Sequence, residues 1–277
     1  MPYDGGLKIG KMCFKGRPPM TTANIDLVGD NGIAIIRINR ADRKNAFNLA
    51  MWKSLADTVD RVEGDDAVRV VIIASGVDNV FSAGADLEEF ERVSKDPEWR
   101  EENRKALGNA IGKIMNLSKP SIAMIDGAAY GAGCGVALAA DIRLASPRAK
   151  FCIPPAKLGL VYPLTETKRL VDLVGPARAK EMIYTADVFS AKDAQAMGLV
   201  NRVVDGNLPM ATMEMAQKIS ENSTHSLTEG KKMIRRVLDG QRIEDEETIA
   251  VFLDTYDGDD FAEGAAAFLE KRKPDFK

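Results

Sequence analysis

The chain has 277 residues, 45% of them hydrophobic, which is enough apolar material for one large core domain with a helical appendage. Its 38 Lys and Arg against 41 Asp and Glu leave a formal charge of -3, which argues against nucleic acid or an anionic membrane as the main partner. No apolar run approaches the ~20 residues of a membrane span, and the N-terminus lacks the apolar core of a secretory signal, so we expect a cytoplasmic protein.

The three cysteines, Cys13, Cys134 and Cys152, are odd in number, widely spaced and without a CxxC or Cys/His pairing. This spacing suggests neither a disulfide framework nor a zinc site, and it fits a reducing compartment. We therefore expect no bound metal.

Strand and helix patterns alternate through the first two hundred residues and then give way to helices alone. Predicted strands lie at 32–39, 68–74, 121–126, 142–145 and 199–204, and predicted helices at 48–62, 87–93, 98–117, 136–140, 210–220, 227–238, 244–256 and 261–271. The β-branched run VRVVIIA (68–74) suits a parallel strand buried on both faces. We expect a flexible leader at 1–23, an α/β core at 24–206 and a C-terminal helical region at 207–277.

Two glycine-containing turns, Phe81 to Asp86 and Tyr130 to Gly135, each follow a β-branched strand and precede a helix. In α/β proteins, ligands collect at such strand ends. The glycines can leave the backbone amides of Ala85 and Ala132 free, and the dipole of the following helix would reinforce the amide of Ala132. Two donors aimed at one oxygen would form an oxyanion hole.

Other interpretations of the turns are possible. Gly-rich turns between strands and helices are common, and either segment alone is compatible with a tight turn that packs a small-residue helix. A dinucleotide fingerprint would follow the first strand, whereas Gly127 to Gly135 lies in the middle of the chain, so we reject that alternative.

Four segments resemble the crotonase superfamily, the enoyl-CoA hydratase/isomerase family. They are DNVFSAGADLEEF (78–90), KPSIAMIDGAAYGAGCGVALAADIRLAS (119–146), KLGLVYPLTETKRLVDLVG (157–175) and EGAAAFLEKRKPDF (263–276). The similarity runs from about Gly32 to the C-terminus. It implies a spiral of ββα units, a helical C-terminal region that mediates trimer formation, and often a hexamer of two trimers.

The resemblance also implies roles for particular residues. Ala85 and Ala132 match the two oxyanion amides, and no cofactor is implied beyond coenzyme A as part of an acyl-CoA thioester substrate. Positions that match the coenzyme A contacts of the family, or that border them, are Arg43, Lys44, Ala46, Ala83, Gly84, Asp86, Leu87, Tyr130, Gly131, Phe268 and Lys271. Among these, Arg43 and Lys44 lie near the phosphates, although they would equally suit a solvated loop.

The sequence departs from the family where proton chemistry is done. A hydratase of this family places carboxylates three residues after the second oxyanion amide and in a following PE dipeptide, and other members use an acid just after the LGL turn. Here these three positions are Gly135, Pro155 and Pro163. Hydration by the usual carboxylate pair is therefore not expected.

The remaining candidates for proton transfer are Tyr162 and Glu166, with Tyr130 bordering the second turn. Each has a structural alternative: Tyr162 packed on the sheet, Glu166 capping its own helix, Tyr130 in the core. The single histidine, His225, falls in the C-terminal helices and is expected at a surface or interface.

The sequence thus leaves the reaction open between isomerisation or atypical hydration, decarboxylation of a malonyl-type acyl-CoA, and a family member that binds CoA without turnover. The turn around Tyr162 is similar to that of methylmalonyl-CoA decarboxylase-like members. Loss of carbon dioxide generates the enolate without a carboxylate base, and a buried acid would repel the departing group.

Overall fold

The computed structural model describes residues 20–276. Its strands are β1 (Met20–Thr22), β2 (Ile25–Asp30), β3 (Ile33–Ile38), β4 (Val70–Ser75), β5 (Val80–Ser82), β6 (Ser121–Ile125), β7 (Ala128–Tyr130), β8 (Ile142–Ala145), β9 (Lys150–Cys152), β10 (Phe189–Ser190) and β11 (Arg202–Val203). Its α-helices are α1 (Leu49–Glu63), α2 (Leu87–Val93), α3 (Pro97–Asn116), α4 (Ala132–Ala139), α5 (Leu164–Thr185), α6 (Ala191–Ala196), α7 (Leu208–Ser220), α8 (Thr224–Leu238), α9 (Glu246–Asp254) and α10 (Asp259–Glu270).

The strands form two sheets. The larger has the order β1-β2-β3-β4-β6-β8-β11, antiparallel from β1 to β3 and parallel from β3 to β11. The smaller has the order β10-β9-β7-β5. Three times in succession, a strand of the larger sheet leads within a few residues into a strand of the smaller sheet and then into a helix: β4, β5 and α2, then β6, β7 and α4, then β8, β9 and α5. The predicted spiral of ββα units is confirmed.

Burial explains the β-branched strands. Every residue of Val70 to Ala74 is buried, as the sequence predicted for a parallel strand covered on both faces. One apolar cluster lies between the larger sheet and helices α1, α3 and α4, and the second covers the other face of the same sheet. Leu208 and Ala216 of α7 belong to that second cluster, so the first helix after residue 207 packs on the core.

Local signals set the helix ends near the site. The Asn48 side chain accepts a hydrogen bond from the Met51 N–H and caps α1, and Asp86 caps α2 by accepting from the N–H groups of Glu88 and Glu89. Helix α5 is broken at Gly175 (φ 75°, ψ 165°), just before Pro176. Helix α2 (87–93) and strand β8 (142–145) begin and end at the residues that the sequence predicted.

Other boundaries differ from the prediction. Strand β1 begins at Met20, ahead of the predicted core start at residue 24, while residues 1–19 of the predicted leader lie outside the described residues. Helix α4 begins at Ala132, not at residue 136, and β11 covers only two residues of the predicted strand at 199–204. No helix among residues 20–276 has the length and apolar character needed to cross a bilayer.

Candidate active site

The first glycine turn directs one backbone N–H away from its neighbouring segment. Gly84 has φ +103°, its carbonyl accepts a hydrogen bond from the Phe47 N–H at 2.7 Å, and the Asp86 N–H donates to the Phe47 carbonyl at 2.9 Å. A trans peptide is planar, so its N–H points opposite to its C=O. Because the Gly84 carbonyl faces Phe47, the N–H of Ala85 points to the other side.

The second turn has the same construction. Gly131 has φ +50°, and its carbonyl accepts from the Gly135 N–H at 3.0 Å, inside the first turn of α4. The N–H of Ala132 belongs to the same peptide group as that carbonyl and therefore points out of the helix N-terminus. Ala132 is the first residue of α4, where the helix dipole is positive.

The two turns touch. A Cβ atom built on Gly84 would lie 2.8 Å from the Tyr130 carbonyl oxygen and 3.6 Å from the Ala132 nitrogen, and one built on Gly133 would lie 2.6 Å from the Ser82 Cβ. Only glycine permits this approach. Among the described residues, neither the Ala85 N–H nor the Ala132 N–H has a hydrogen-bond acceptor, so both can bind an external oxygen.

A carboxyl group and a phenol lie beside α4 at Gly135, the position where the sequence lacks an acid. A Cβ on Gly135 would lie 3.2 Å from Cγ and 3.9 Å from Oε1 of Glu166, and 3.4 Å from the Tyr162 hydroxyl oxygen. Both side chains come from the segment that enters α5, and both are buried, with 3% of Glu166 and 7% of Tyr162 exposed. The structure thus brings Tyr162 and Glu166 together beside α4, the helix that begins at Ala132.

Burial dominates the protonation of both groups. It raises the pKa of the Glu166 carboxyl above its usual range, and a hydrogen bond from the residue's own backbone N–H opposes this only in part. Burial, with smaller contributions from Cys134 and Glu166, raises the pKa of the Tyr162 phenol well above 10.0. Tyr162 therefore stays protonated, and its hydroxyl donates a long hydrogen bond of 3.4 Å to the Gly131 carbonyl.

Pro155 and Pro163 border this region without supplying an acid. Pro155 begins a short 3₁₀ helix, and Pro163 is the residue before α5. Tyr130, half-buried at the end of β7, has a pKa raised first by burial and then by Cys152.

The residues proposed for coenzyme A are distributed unevenly. Lys44 and Ala83 are exposed neighbours, since the Ala83 N–H donates to the Lys44 carbonyl at 3.0 Å, and Arg43 forms an exposed ion pair with Glu88. Leu87 is also exposed, whereas Ala46 and Gly84 are buried in the backbone pairing between the two segments.

The end of α10 is separate from this group. Phe268 is 82% exposed, and Lys271 follows the helix in a left-handed conformation with φ +54°. Among the described residues, no hydrogen bond or ion pair joins either residue to the two turns.

One polar group at the site was missed by the sequence analysis. The Arg40 guanidinium donates to the Asp86 carboxylate at 2.7 Å and to the Ala46 carbonyl at 2.8 Å. The Asp86 carboxylate, one of the positions that match or border the coenzyme A contacts of the family, forms this ion pair and caps α2. The sequence around Arg40 contains no local signal for a bond to a residue 46 positions away.

The two sheets joined by successive ββα units define a protein of the crotonase fold, and comparison with known proteins agrees. The family model for enoyl-CoA hydratase/isomerase matches residues 29–277. The chain belongs to this family and is an enzyme that acts on CoA thioesters.

Individual relatives support this assignment over nearly their whole length. A crotonyl-CoA hydratase of Syntrophomonas wolfei is 34% identical over 266 residues, which cover 93% of this chain and 99% of the relative. A solved enoyl-CoA hydratase/isomerase family protein from Hyphomonas neptunium is 36% identical with a TM-score of 0.88, covering 92% of this chain and 97% of that one. The structure of DspI from Pseudomonas aeruginosa is 30% identical with a TM-score of 0.86, covering 93% and 98% respectively.

Proposed function

We propose that this enzyme moves a proton on an enoyl-CoA, converting a 3-enoyl thioester to the 2-enoyl isomer, with Glu166 as its proton-transfer carboxylate. The observation that carries the proposal is the position of the Glu166 carboxyl group, 3.9 Å from where a Cβ of Gly135 would lie and therefore beside the helix that presents the Ala132 amide. The Glu166 carboxyl group, which comes from α5, occupies the space that the carboxyl group of an acidic residue at position 135 would fill.

The thioester carbonyl oxygen would accept hydrogen bonds from the N–H groups of Ala85 and Ala132. Ionised Glu166 removes a proton from C2 of the 3-enoyl group, and the electron pair moves into the carbonyl, forming a dienolate whose oxygen the two amides stabilise. The same carboxylic acid then returns the proton to C4, leaving the double bond between C2 and C3. One donor of this kind typically contributes about 10²- to 10³-fold in rate.

A single carboxylate is sufficient for this reaction, whereas hydration by the usual route needs one acid group to deprotonate water and a second to protonate the α-carbon. Gly135 and Pro155 remove both members of that pair. A raised pKa suits Glu166 to the task, because a base that has to take and return a proton works best when its pKa lies near the working pH.

Decarboxylation of a malonyl-type thioester is the second candidate, because Tyr162 offers a protonated hydroxyl in an otherwise apolar wall. It ranks lower because an ionised Glu166 would repel the carboxylate of such a substrate.

The test is an assay of the wild-type protein with matched 2-enoyl-, 3-enoyl- and malonyl-type CoA thioesters. We expect turnover of the 3-enoyl substrate, and a loss of at least 10²-fold in kcat for Glu166→Gln, as expected on removal of a general base. Glu181→Gln is the matched control, since Glu181 is an exposed residue on the same helix. Turnover of the malonyl substrate alone would assign decarboxylation, and tight binding without any turnover would overturn the enzymatic proposal.

We also propose that the chain assembles as a trimer or as a hexamer of two trimers, which is supported by large apolar side chains left exposed on the C-terminal helices. These are Ile234, Val237, Phe252, Leu253, Phe261, Phe268 and Leu269. Phe268 and Lys271 would then meet the coenzyme A of another subunit. Analytical ultracentrifugation tests the assembly, and a monomer at micromolar concentration would contradict it. Cytoplasmic location stays a prediction.

A further inference from the structure

Arg40 lies behind the first turn and joins the two segments that hold the Ala85 amide. We propose that Arg40 is a positioning residue that, through its ion pair with Asp86, fixes the direction of the Ala85 N–H and so tunes the polarisation of the bound thioester. This inference rests on the proposed use of the Ala85 and Ala132 amides as an oxyanion hole.

Arg40 forms hydrogen bonds on both sides of the pairing between Phe47 and Ala85. Phe47 and Ala85 form an isolated parallel bridge, and this bridge fixes the Gly84–Ala85 peptide through the 2.7 Å hydrogen bond from the Phe47 N–H to the Gly84 carbonyl. One nitrogen of Arg40 donates to the Ala46 carbonyl, one residue before Phe47, and to the Asp86 carboxylate, one residue after Ala85. The guanidinium therefore brackets the bridge.

The bridge consists of only two backbone hydrogen bonds outside any strand. A parallel pair this short is weakly held on its own, and a rotation of the Gly84–Ala85 peptide would turn the Ala85 N–H with it. The Arg40 contacts close a ring around this peptide, so that the rotation would require breaking a half-buried, charge-assisted hydrogen bond.

Electrostatics keep the ion pair intact. The side chains of Arg40 and Asp86 are 13% and 9% exposed. Burial alone would raise the pKa of the Asp86 carboxyl, but the hydrogen bond from Arg40, the N–H groups of the α2 cap and the charge of Arg40 together lower it. Asp86 therefore remains ionised throughout the range in which Glu166 changes its charge.

The base of Arg40 is itself fixed by Asn45, a fully buried residue with φ +58°. The Asn45 side chain accepts from the Arg40 N–H at 2.7 Å and donates to the Ser75 hydroxyl at 2.8 Å and the Phe81 carbonyl at 3.0 Å. Arg40 thus extends from a rigid loop, as a residue that positions another group must.

Asp86→Asn isolates the ion pair. The asparagine oxygen can still cap α2, because Asn and Asp cap helices about equally well, while its NH₂ group faces the Arg40 donor in place of an acceptor. We expect kcat to fall by about 10- to 100-fold, as small misplacements in a site do, with little change in KM.

The control variant is Asp26→Asn. Asp26 pairs with Arg37 at 3.1 Å, and the side chains are 3% and 13% exposed, so this ion pair between β2 and β3 is buried to a similar degree. We expect Asp26→Asn to lower the melting temperature without lowering kcat. An equal loss of kcat in both variants would make the Arg40 pair merely structural and would overturn the inference.

The decisive readout is the carbonyl stretching frequency of ¹³C-labelled butyryl-CoA, a saturated thioester with no double bond to move, bound to each protein. In wild type we expect a shift to lower frequency relative to free butyryl-CoA, and in Asp86→Asn a smaller shift. Arg40→Lys, which keeps the charge but lacks the planar fork, should give an intermediate shift and covers the case in which Asp86→Asn does not fold. No shift in wild type would overturn the proposed oxyanion hole itself, whereas a full shift in both variants would overturn only the role of Arg40.

Discussion

Glu166→Gln should make the protein more stable at neutral and alkaline pH while it removes activity. Burial raises the pKa of Glu166 in the folded protein above the 4.5 of an unfolded chain. Between these two values the folded state binds more protons than the unfolded state, so stability decreases as pH rises through the window. Glutamine does not titrate and therefore avoids this loss.

The magnitude follows from the linkage slope. Within the window, the advantage of the Gln variant in unfolding free energy should grow by up to about 1.4 kcal/mol per pH unit and then level off above the folded pKa. Each kcal/mol corresponds to a rise of roughly 2 °C in Tm for a chain of this size. Below pH 4.5 the glutamic acid is protonated in both states, and the difference should be independent of pH.

The assay is urea denaturation of wild type and Glu166→Gln at one-unit steps from pH 4.5 to 8.5, at a single protein concentration because assembly contributes to apparent stability. Glu181→Gln, an exposed change on the same helix, should show no growing advantage. A stability difference that does not change with pH, or a Gln variant that becomes relatively less stable as pH rises, would refute the assignment of Glu166 as a buried, destabilised acid.

Three further outcomes follow from the site. Gly84→Ala places a Cβ 2.8 Å from the Tyr130 carbonyl oxygen at φ +103°, so the turns must separate and kcat should fall by about 10²- to 10³-fold. The control is Gly108→Ala, whose Cβ meets nothing within 4 Å and should stabilise α3 by about 0.5–1 kcal/mol in thermal melts. Gly135→Ala brings a Cβ to 3.2 Å from Glu166 Cγ, so it should lower kcat more than it lowers Tm, and equal effects on both would contradict the packing. Burial raises the pKa of the Cys134 thiol to about 12, so iodoacetamide at pH 8 should leave Cys134 unlabelled in native protein and label it in urea, as read by peptide mass spectrometry.

The sequence predicts the long elements well because they carry strong patterns. The long helices α1 and α3 follow from helical spacing, and the buried strand β4 follows from its β-branched residues. The three-residue strands β5, β7 and β9 are too short to show a period, and two of them, β5 and β7, overlap the segments predicted as glycine turns. Local pattern contains no information about pairing between strands that are far apart in the chain.

Helix α4 shows why glycine is ambiguous in sequence. Gly133 and Gly135 suggested a turn as far as residue 135, yet both lie inside the helix. Each is needed for packing, because a Cβ at 133 would collide with Ser82 and one at 135 would crowd Glu166 and Tyr162. The cost of glycine in a helix, about 1 kcal/mol, is offset here by the close approach that glycine allows.

In the candidate site too, features set by local sequence can be predicted, whereas contacts between distant segments cannot. Ala85 and Ala132 are predictable because backbone amides at glycine turns are local features, whereas the bond from Arg40 to Asp86 depends on how two distant segments meet. Motif position also gave an incomplete account of the acids, because a motif compares only the residue at position 135 with the residue at the equivalent position of the family. A carboxyl group can reach the same place from another helix, and Glu166, 31 positions further along the chain, lies where Gly135 leaves room. Gly135 and Glu166 therefore depend on each other: a side chain at 135 would crowd Glu166, and without Glu166 the glycine would leave a gap beside α4.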